Sequence, residues 1–420
     1  MKKLGVIADD FTGATDIAGF LAENGVKTIL TNGVKMLALP LETQAIIVSL
    51  KTRSCSPEQA VEESLQALRW LKDQECTQFY FKYASTFDST VRGNIGPVTD
   101  ALMEALETKL TVICPALPIN RRTVYKGYLF VEDNLLNESG MRDHPLNPML
   151  DAKLTRLMET QAHGRATEIH LEVVEEGSEA ILHRLNIARD TGYSYAVLDT
   201  LTEEHLDSIA LATKDLPLLT GGSGLGGSIA KLLVQSTKQA ISDIQVPSAR
   251  AVILSGSCSV ATNAQVRFYK NIGPTRSFEI DAYLKDSKSY INETAEWVGS
   301  QPFHAYAPLL YATQTPEEVT MGRSLYPTED IGSLIEHFFA ELALSLLQKG
   351  FQTFIIAGGE TCGVVTQTLG IEAFVIGQQI DPGVPWVKDV NSEVYLALKS
   401  GNFGSIDFFK KAQDTFRSYN

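Results

Sequence analysis

The stretch LGVIADDFTGATDIA, residues 4–18, decides how the rest of the chain is read. A short apolar run ends in two adjacent carboxylates, Asp9 and Asp10, and Thr12 and Gly13 then open a helix-like segment. A buried strand that passes straight into a helix is the beginning of a β–α–β arrangement with parallel strands and crossover helices. One of the two acids is accounted for as a helix cap. A cap does not need two, so the pair also admits a chemical reading. In it one carboxylate accepts a hydroxyl proton or helps hold Mg²⁺, while the helix N-terminus faces an anion.

The same alternation runs through the chain. Strands are expected at 4–8, 45–50, 78–83, 110–116, 195–200 and 217–221, and a second series at 250–257, 276–281, 307–313, 351–360 and 373–378. Between the third and second of these, SPEQAVEESLQALRWLKDQ (56–74) has helical periodicity, with Ser56 as N-cap and Pro57 in the first turn. The polar, proline-containing stretch 237–250 separates the two series, which predicts domains at 1–245 and 246–420. The expected fold is α/β, two domains, each a mainly parallel sheet flanked by helices, with the active site in the cleft between them. Residues 120–175 show weak periodicity and read as an irregular excursion from the first domain.

Composition narrows the function. With 420 residues, 44% hydrophobic and 20% charged, the chain reads as an ordinary globular protein of two domains. A net charge of −14 argues against nucleic acid or an anionic membrane as the main partner. The N-terminal apolar run is only a strand long and is broken by Asp9, which argues against a signal peptide or a membrane span. Five scattered cysteines without a C-x-x-C pair suggest reduced thiols and a cytoplasmic location, and seven dispersed histidines offer no zinc spacing.

Ligands of open α/β sheets bind beyond the carboxyl ends of the strands, so the strand-end residues matter most. LKTRSC (50–55) and FKYASTFDST (81–90) place Arg53, Lys82, Ser85 and Asp88 where Asp9 and Asp10 lie. A planar Arg53 fork suits a substrate carboxylate, with Lys82 as a point charge beside it; pairing with Asp9 and Asp10 is the other reading of the same spacing. LSGSCS (254–259), AGGETCG (357–363) and LKSGNFG (398–404) are three glycine–hydroxyl turns after apolar strands, a pattern that lets backbone N–H groups approach phosphate oxygens. TGGSGLGGS (220–228) formally contains G-x-G-x-x-G at Gly222, Gly224 and Gly227, but it sits late in its domain with no acid ending a following strand, so a tight helix start or an anion loop is favoured over dinucleotide binding. DFTGAT from Asp10 fits the D-x-T-G-x-T of enzymes that phosphorylate their own aspartate, yet the chain has no Gly-Asp dipeptide for the partner motif.

Taken in order, IADDFTGATDIA, SLKTRSC, FKYASTFDSTVRGNIGP, PALPINRRTVYKGYLFV, TGGSGL, LSGSCS, AGGETCGVVTQTLGI, PGVPW and LALKSGNFG span residues 5–404, and over that whole length the chain resembles the four-carbon acid sugar kinase family. The resemblance implies an ATP- and Mg²⁺-dependent kinase acting on the 4-hydroxyl of a 3-oxo-tetronate-type acid, with threonate or erythronate as the alternative substrates. It implies a sugar-acid domain carrying Asp9, Asp10, Arg53, Lys82 and Asp88. It implies a nucleotide domain carrying Ser257, Gly359, Glu360, Thr361, Cys362, Gly401 and Gly404. Asp10 is expected as the base with Asp9 the alternate, and the metal ligands stay open. An NAD-dependent oxidoreductase and a non-catalytic metabolite-binding protein are the rival classes. Nothing in the residues decides between a monomer and a homo-oligomer.

Overall fold

The structure, a computed structural model, describes residues 2–35, 39–143, 147–235, 244, 250–302, 306–315, 324–326 and 329–417. The chain forms two compact units, Met1–Ser242 and Asp243–Asn420. The boundary expected near residue 245 lies outside the described residues, as does most of the polar stretch 237–250.

In the first unit the strands are β1 (Leu4–Ala8), β2 (Thr28–Asn32), β3 (Ala45–Ser49), β4 (Gln78–Lys82), β5 (Thr111–Cys114), β6 (Arg122–Tyr125), β7 (Tyr128–Val131), β8 (Asn134–Leu135), β9 (Ala166–Ile169), β10 (Tyr195–Leu198) and β11 (Leu218–Gly221). Eight of them pair in parallel in the order β2-β3-β1-β4-β11-β5-β10-β9. β1, β3 and β4 are buried at every position, as parallel strands covered on both faces must be. Ile7, Val48 and Phe81 share one core cluster with Leu68, Leu71 and Leu102 of the helices Pro57–Asp73 and Ile95–Ala105. Ser56 caps the first of these helices, its Oγ accepting from Gln59 N at 3.3 Å. The excursion at 120–175 is more regular than expected: β6, β7 and β8 form a small antiparallel sheet. Its first hairpin turns at Lys126 (φ 50) and Gly127 (φ 68), where two consecutive left-handed residues match the twist of the flanking strands.

The second unit contains β12 (Ala251–Ser255), β13 (Thr275–Ser277), β14 (Leu309–Tyr311), β15 (Thr353–Ala357), β16 (Ala373–Asp381), β17 (Val384–Asp389) and β18 (Tyr395–Lys399). Their order is β13-β14-β12-β15-β18-β17-β16. The first five pair in parallel, while β16, β17 and β18 pair antiparallel. The antiparallel part arises from the Pro382–Gly383 turn, where Gly383 takes φ 79 and reverses the chain without a crossover helix.

Candidate active site

In the first unit the strand order brings the ends of β3, β1 and β4 side by side. Ala8 registers with Ser49 on one side and Lys82 on the other. Beyond this edge the backbone knits the three ends together: Asp9 N donates to Lys82 O at 3.1 Å, and Thr52 N donates to Asp9 O at 2.9 Å. Asn94 Nδ2 fixes the loop after β3 by donating to Thr52 O (2.6 Å) and Cys55 O (3.0 Å).

The side chains then meet. Arg53 Nε donates to Asp9 Oδ2 at 2.9 Å and Nη2 to Asp9 Oδ1 at 2.7 Å, while Nη1 donates to Asp10 Oδ2 at 2.8 Å. Asp88 Oδ2 stands 3.8 Å from Arg53 Nε. Asp10 Oδ1 accepts from Gly13 N at 2.7 Å, so this residue is also the helix cap. The capping reading of the opening stretch therefore holds for Asp10, and both aspartates pair with Arg53. Burial pushes the Asp9 carboxyl up, and the Arg53 guanidinium opposes that shift. Arg53 is itself desolvated, but the two aspartates raise it and keep it charged.

The Arg53 fork expected to read a substrate carboxylate here grips Asp9, the pairing that the same spacing also allows. Lys82 is the cation with more to offer. It is 2% exposed, and its Nζ donates to Tyr83 O at 2.8 Å. Its position beside the first turn of the helix Phe11–Glu23 is close: a Cβ added at Gly13 would lie 3.1 Å from Lys82 Nζ and 2.6 Å from Asp10 Oδ1.

Asp88 reaches Arg53 because of a strained turn. Phe87 (φ 61) and Asp88 (φ 36) both lie in the left-handed region. Phe87 is fully buried and packs edge-to-face on Tyr83 at 5.7 Å, which holds the turn in that conformation. Ser85 lies half-buried on the same loop.

Asp16 was not among the residues singled out from sequence. It receives a hydrogen bond from Ser223 Oγ, and burial pushes its carboxyl up against the opposing pull of Lys82 and Arg122. Its signal was an acid between the buried Thr15 and Ile17 of an apolar helix face. Ser223 opens the helix Ser223–Gln235, and this explains the glycines of TGGSGLGGS. A Cβ at Gly221, Gly222 or Gly224 would fall 2.2–2.7 Å from the carbonyl oxygens of Cys114, Pro115 and Ala116. At Gly226 and Gly227 it would meet Ile17 and Phe20 at 2.7 and 3.0 Å. These glycines serve close packing at a tight helix start.

In the second unit the three glycine–hydroxyl turns follow the adjacent strands β12, β15 and β18. Gly256 N and Ser257 N donate to Ala357 O, and Gly358 N donates to Lys399 O. The backbones approach so closely that a Cβ at Gly256 would lie 2.2 Å from Thr361 Oγ1, and one at Gly401 2.8 Å from Ser257 Oγ. Gly358, at φ 128, precedes the helix Gly359–Thr368, which has no side-chain cap; nothing lies within 4 Å of a Cβ added at Gly359. That leaves an open, uncapped helix start, with Glu360 exposed in its first turn. Cys362 is placed differently: its thiol faces Ile356 O and Lys399 O in the core, and burial pushes it up to about 12. Gly404, at φ 83, lies on a turn whose carbonyls at Phe403, Gly404 and Ser405 are held by Gln265 Nε2.

Lys399 is the residue missed here. It is fully buried, and its Nζ donates to Thr262 Oγ1 and Gly401 O, each at 2.9 Å, and to Ser400 O at 3.2 Å. Gly401 O also accepts from Ser259 Oγ and Thr262 Oγ1. The ammonium therefore ties the turn after β18 to the turn after β12, and burial pulls it down to about 8. Its signal was a lysine closing an apolar run, YLALK, just as Lys82 closes QFYFK.

Two domain families match this chain: a sugar-binding N-terminal domain over residues 4–229 and a nucleotide-binding C-terminal domain over residues 252–409. A 3-oxo-tetronate kinase from Pectobacterium atrosepticum is 51% identical over 99% of this chain and 100% of its own length. The chain belongs to the four-carbon acid sugar kinase family. The enzyme of the same name from Brucella melitensis is 50% identical over 98% of this chain and 95% of its own length. A crystal structure of a Haemophilus influenzae protein superposes with a TM-score of 0.90 at 47% identity, covering 98% of this chain and 100% of that one. A Salmonella typhimurium structure gives 0.93 at 51%, covering 99% and 100%. In this member of the four-carbon acid sugar kinase family the Asp9–Arg53–Asp10 group lies within the domain matched as sugar-binding, and the three glycine–hydroxyl turns lie within the domain matched as nucleotide-binding. Among the described residues no helix is long and apolar enough to cross a membrane.

Proposed function

We propose that this chain transfers the γ-phosphoryl group of ATP to the 4-hydroxyl of a 3-oxo-tetronate, in the cytoplasm. The observation that carries the reading is the division of labour: one strand-end site offers carboxylates beside a buried ammonium, and the other offers open backbone turns suited to phosphate.

Phosphoryl transfer asks chiefly for positioning and charge stabilisation. Asp10 is the base. Its side chain is 28% exposed against 8% for Asp9, so it can meet a hydroxyl while Arg53 and Gly13 N hold it in place. The 4-hydroxyl oxygen forms its bond to the γ-phosphorus, its proton passes to Asp10, and the bond to the ADP oxygen breaks. Arg53 positions both aspartates. Lys82, with an ammonium proton to spare, takes the carboxylate of the acid. The turns at Ser257, Gly359–Thr361 and Gly401 hold the phosphates, and Lys399 holds two of those turns in register.

Mg²⁺ fits this donor set as a nucleotide-borne ion. Among the described residues no group of three or more His, Cys, Asp or Glu side chains could form a protein cage. A phosphate-bound Mg²⁺ asks the protein for only one or two carboxylates, and Glu360 stands exposed beside the turns. Bound there, the ion would neutralise charge on the phosphate oxygens.

The test is ADP release by the purified chain against a panel of 3-oxo-tetronate, threonate, erythronate and a neutral tetrose. Release stimulated most by the 3-oxo acid is expected. No stimulation by any four-carbon acid would overturn the kinase assignment, and a preference for threonate or erythronate would overturn the substrate alone.

A further inference from the structure

The Arg53 group occupies one end of the strand-end site of the first unit, and the carboxyl edge of the sheet runs on from there. In the strand order β1-β4-β11-β5, Lys82 closes β4, Ser223 follows β11 and opens its helix, and the chain leaving β5 passes through residues 115–117 on its way to Arg122. These pieces are tied together. A Cβ at Gly222 would lie 2.5 Å from Pro115 O and one at Gly224 2.7 Å from Ala116 O, so the helix start rests on that segment. Leu117 then holds Arg122 in an antiparallel bridge, Leu117 N donating to Arg122 O at 2.8 Å and Arg122 N to Leu117 O at 3.1 Å. The edge of such a sheet is where these folds bind ligands.

Arg122 differs from its neighbour Arg121. Arg121 is exposed and spends Nη2 on both oxygens of Asp133, each at 2.8 Å. Arg122 is half-buried, and its Nη1 donates to Asn120 O. Its Nε is buried with no hydrogen-bond partner among the described residues. A buried donor on a charged group is costly to leave unpaired, and a bound ligand is one source of the missing acceptor.

The charges divide the site in the same direction. The Asp9–Arg53–Asp10 group has one cation for two acids. Further along the edge the balance reverses: Asp16, held by Ser223 Oγ, is one acid within the fields of two cations, Lys82 and Arg122. Lys82 Nζ spends its hydrogen bond on Tyr83 O, a neutral carbonyl. A surplus of positive charge out of water calls for an anion. We infer that Arg122 determines specificity for an acid: its free Nε–H joins the Lys82 ammonium on the substrate's carboxylate, which directs the 4-hydroxyl toward Asp10. The inference rests on the kinase reading above and adds to it a second carboxylate-reading residue and the direction in which the acid lies.

Steady-state ADP release by the full-length protein tests it, using Arg122→Met, which keeps the stem and removes the guanidinium, and Arg122→Lys, which returns the charge without the fork. In Arg122→Met the KM for 3-oxo-tetronate should rise about 10–100-fold, the loss of one charge-assisted contact, while kcat and the KM for ATP stay unchanged. Arg122→Lys should lie between that variant and the wild type. An unchanged KM for the acid in Arg122→Met, or equal losses for acid and ATP, overturns the inference. So does a neutral tetrose that loses as much as the acid does. Should Arg122→Met fail to fold, Arg122→Lys decides alone, and a KM for the acid equal to that of the wild type overturns the inference. Calorimetry with the same acid separates this inference from the kinase reading. Binding that weakens in Arg122→Met, without ADP release by the wild type, keeps the carboxylate contact and removes the kinase. ADP release with an unaltered KM removes Arg122 and keeps the kinase; no binding and no release removes both.

Discussion

Arg53 grips Asp9 with two parallel hydrogen bonds, Nε to Oδ2 at 2.9 Å and Nη2 to Oδ1 at 2.7 Å, and places a third on Asp10. A bidentate contact of this kind fixes orientation as well as charge. It makes Arg53 the residue that sets the two acids.

Arg53→Lys keeps the charge and loses the fork. Losing a charge-assisted hydrogen bond on a buried carboxylate should cost about 1.5–3 kcal/mol of stability, together with a fall in kcat as Asp10 loses its anchor. Urea unfolding and steady-state kinetics on the same sample check this. Wild-type stability combined with a defect only in the KM for the acid would return Arg53 to the substrate.

Asp10→Asn separates base from cap. Asparagine still caps the helix, but its amide nitrogen cannot accept from Arg53 Nη1, so stability should fall by about 1.5–3 kcal/mol, the loss of that one charge-assisted bond. A base contributes about 10²–10⁴-fold to rate, so kcat should fall by that order. Near-normal kcat would leave Asp10 as a cap and make Asp9 the suspect.

Lys82→Met preserves the stem of the side chain and removes the ammonium. The KM for the acid should rise about 10–100-fold, the loss of one charge-assisted contact, while the KM for ATP stays put. A neutral tetrose, which the wild type should use poorly, should be no worse a substrate for the variant. Equal damage to acid and ATP would take Lys82 out of carboxylate recognition.

Lys399 predicts a pH signature. In the folded protein its ammonium is pulled down to about 8, whereas in the unfolded chain it keeps its ordinary value of 10.5. Between those values the unfolded state binds more protons, so this residue makes stability rise with pH across that window and contributes no slope below it. Chemical denaturation from pH 7 to 10 should show the wild type gaining relative to Lys399→Met. Parallel curves would mean that the ammonium is not held as the structure places it.

Much of this architecture is legible along the chain. The strands around β1, β3 and β4 are continuous apolar runs because both faces of a parallel sheet are covered, and Ser56 and Asp10 announce their helices by the chemistry of capping. Asp16, Lys399 and Arg122 were harder to see. A single acid in a helix face, a lysine after an apolar run, or one arginine of an adjacent pair has no spacing that marks it.

The amino-acid sequence alone therefore determined which acids, bases and glycine–hydroxyl turns lie at the strand ends, since such a group after a buried run must emerge at the carboxyl edge of its sheet. Tertiary structure decided which of those groups hold one another. Asp9 and Arg53 are 44 residues apart, and they meet only because β3 and β4 flank β1. The glycines of TGGSGLGGS look the same in sequence as a phosphate loop, yet they are filled by Cys114, Pro115, Ala116, Ile17 and Phe20. The physical reason is common to both cases. A charged fork or a bare backbone takes whichever partner packing brings within hydrogen-bond or van der Waals distance, and strand order sets that partner where spacing along the chain does not.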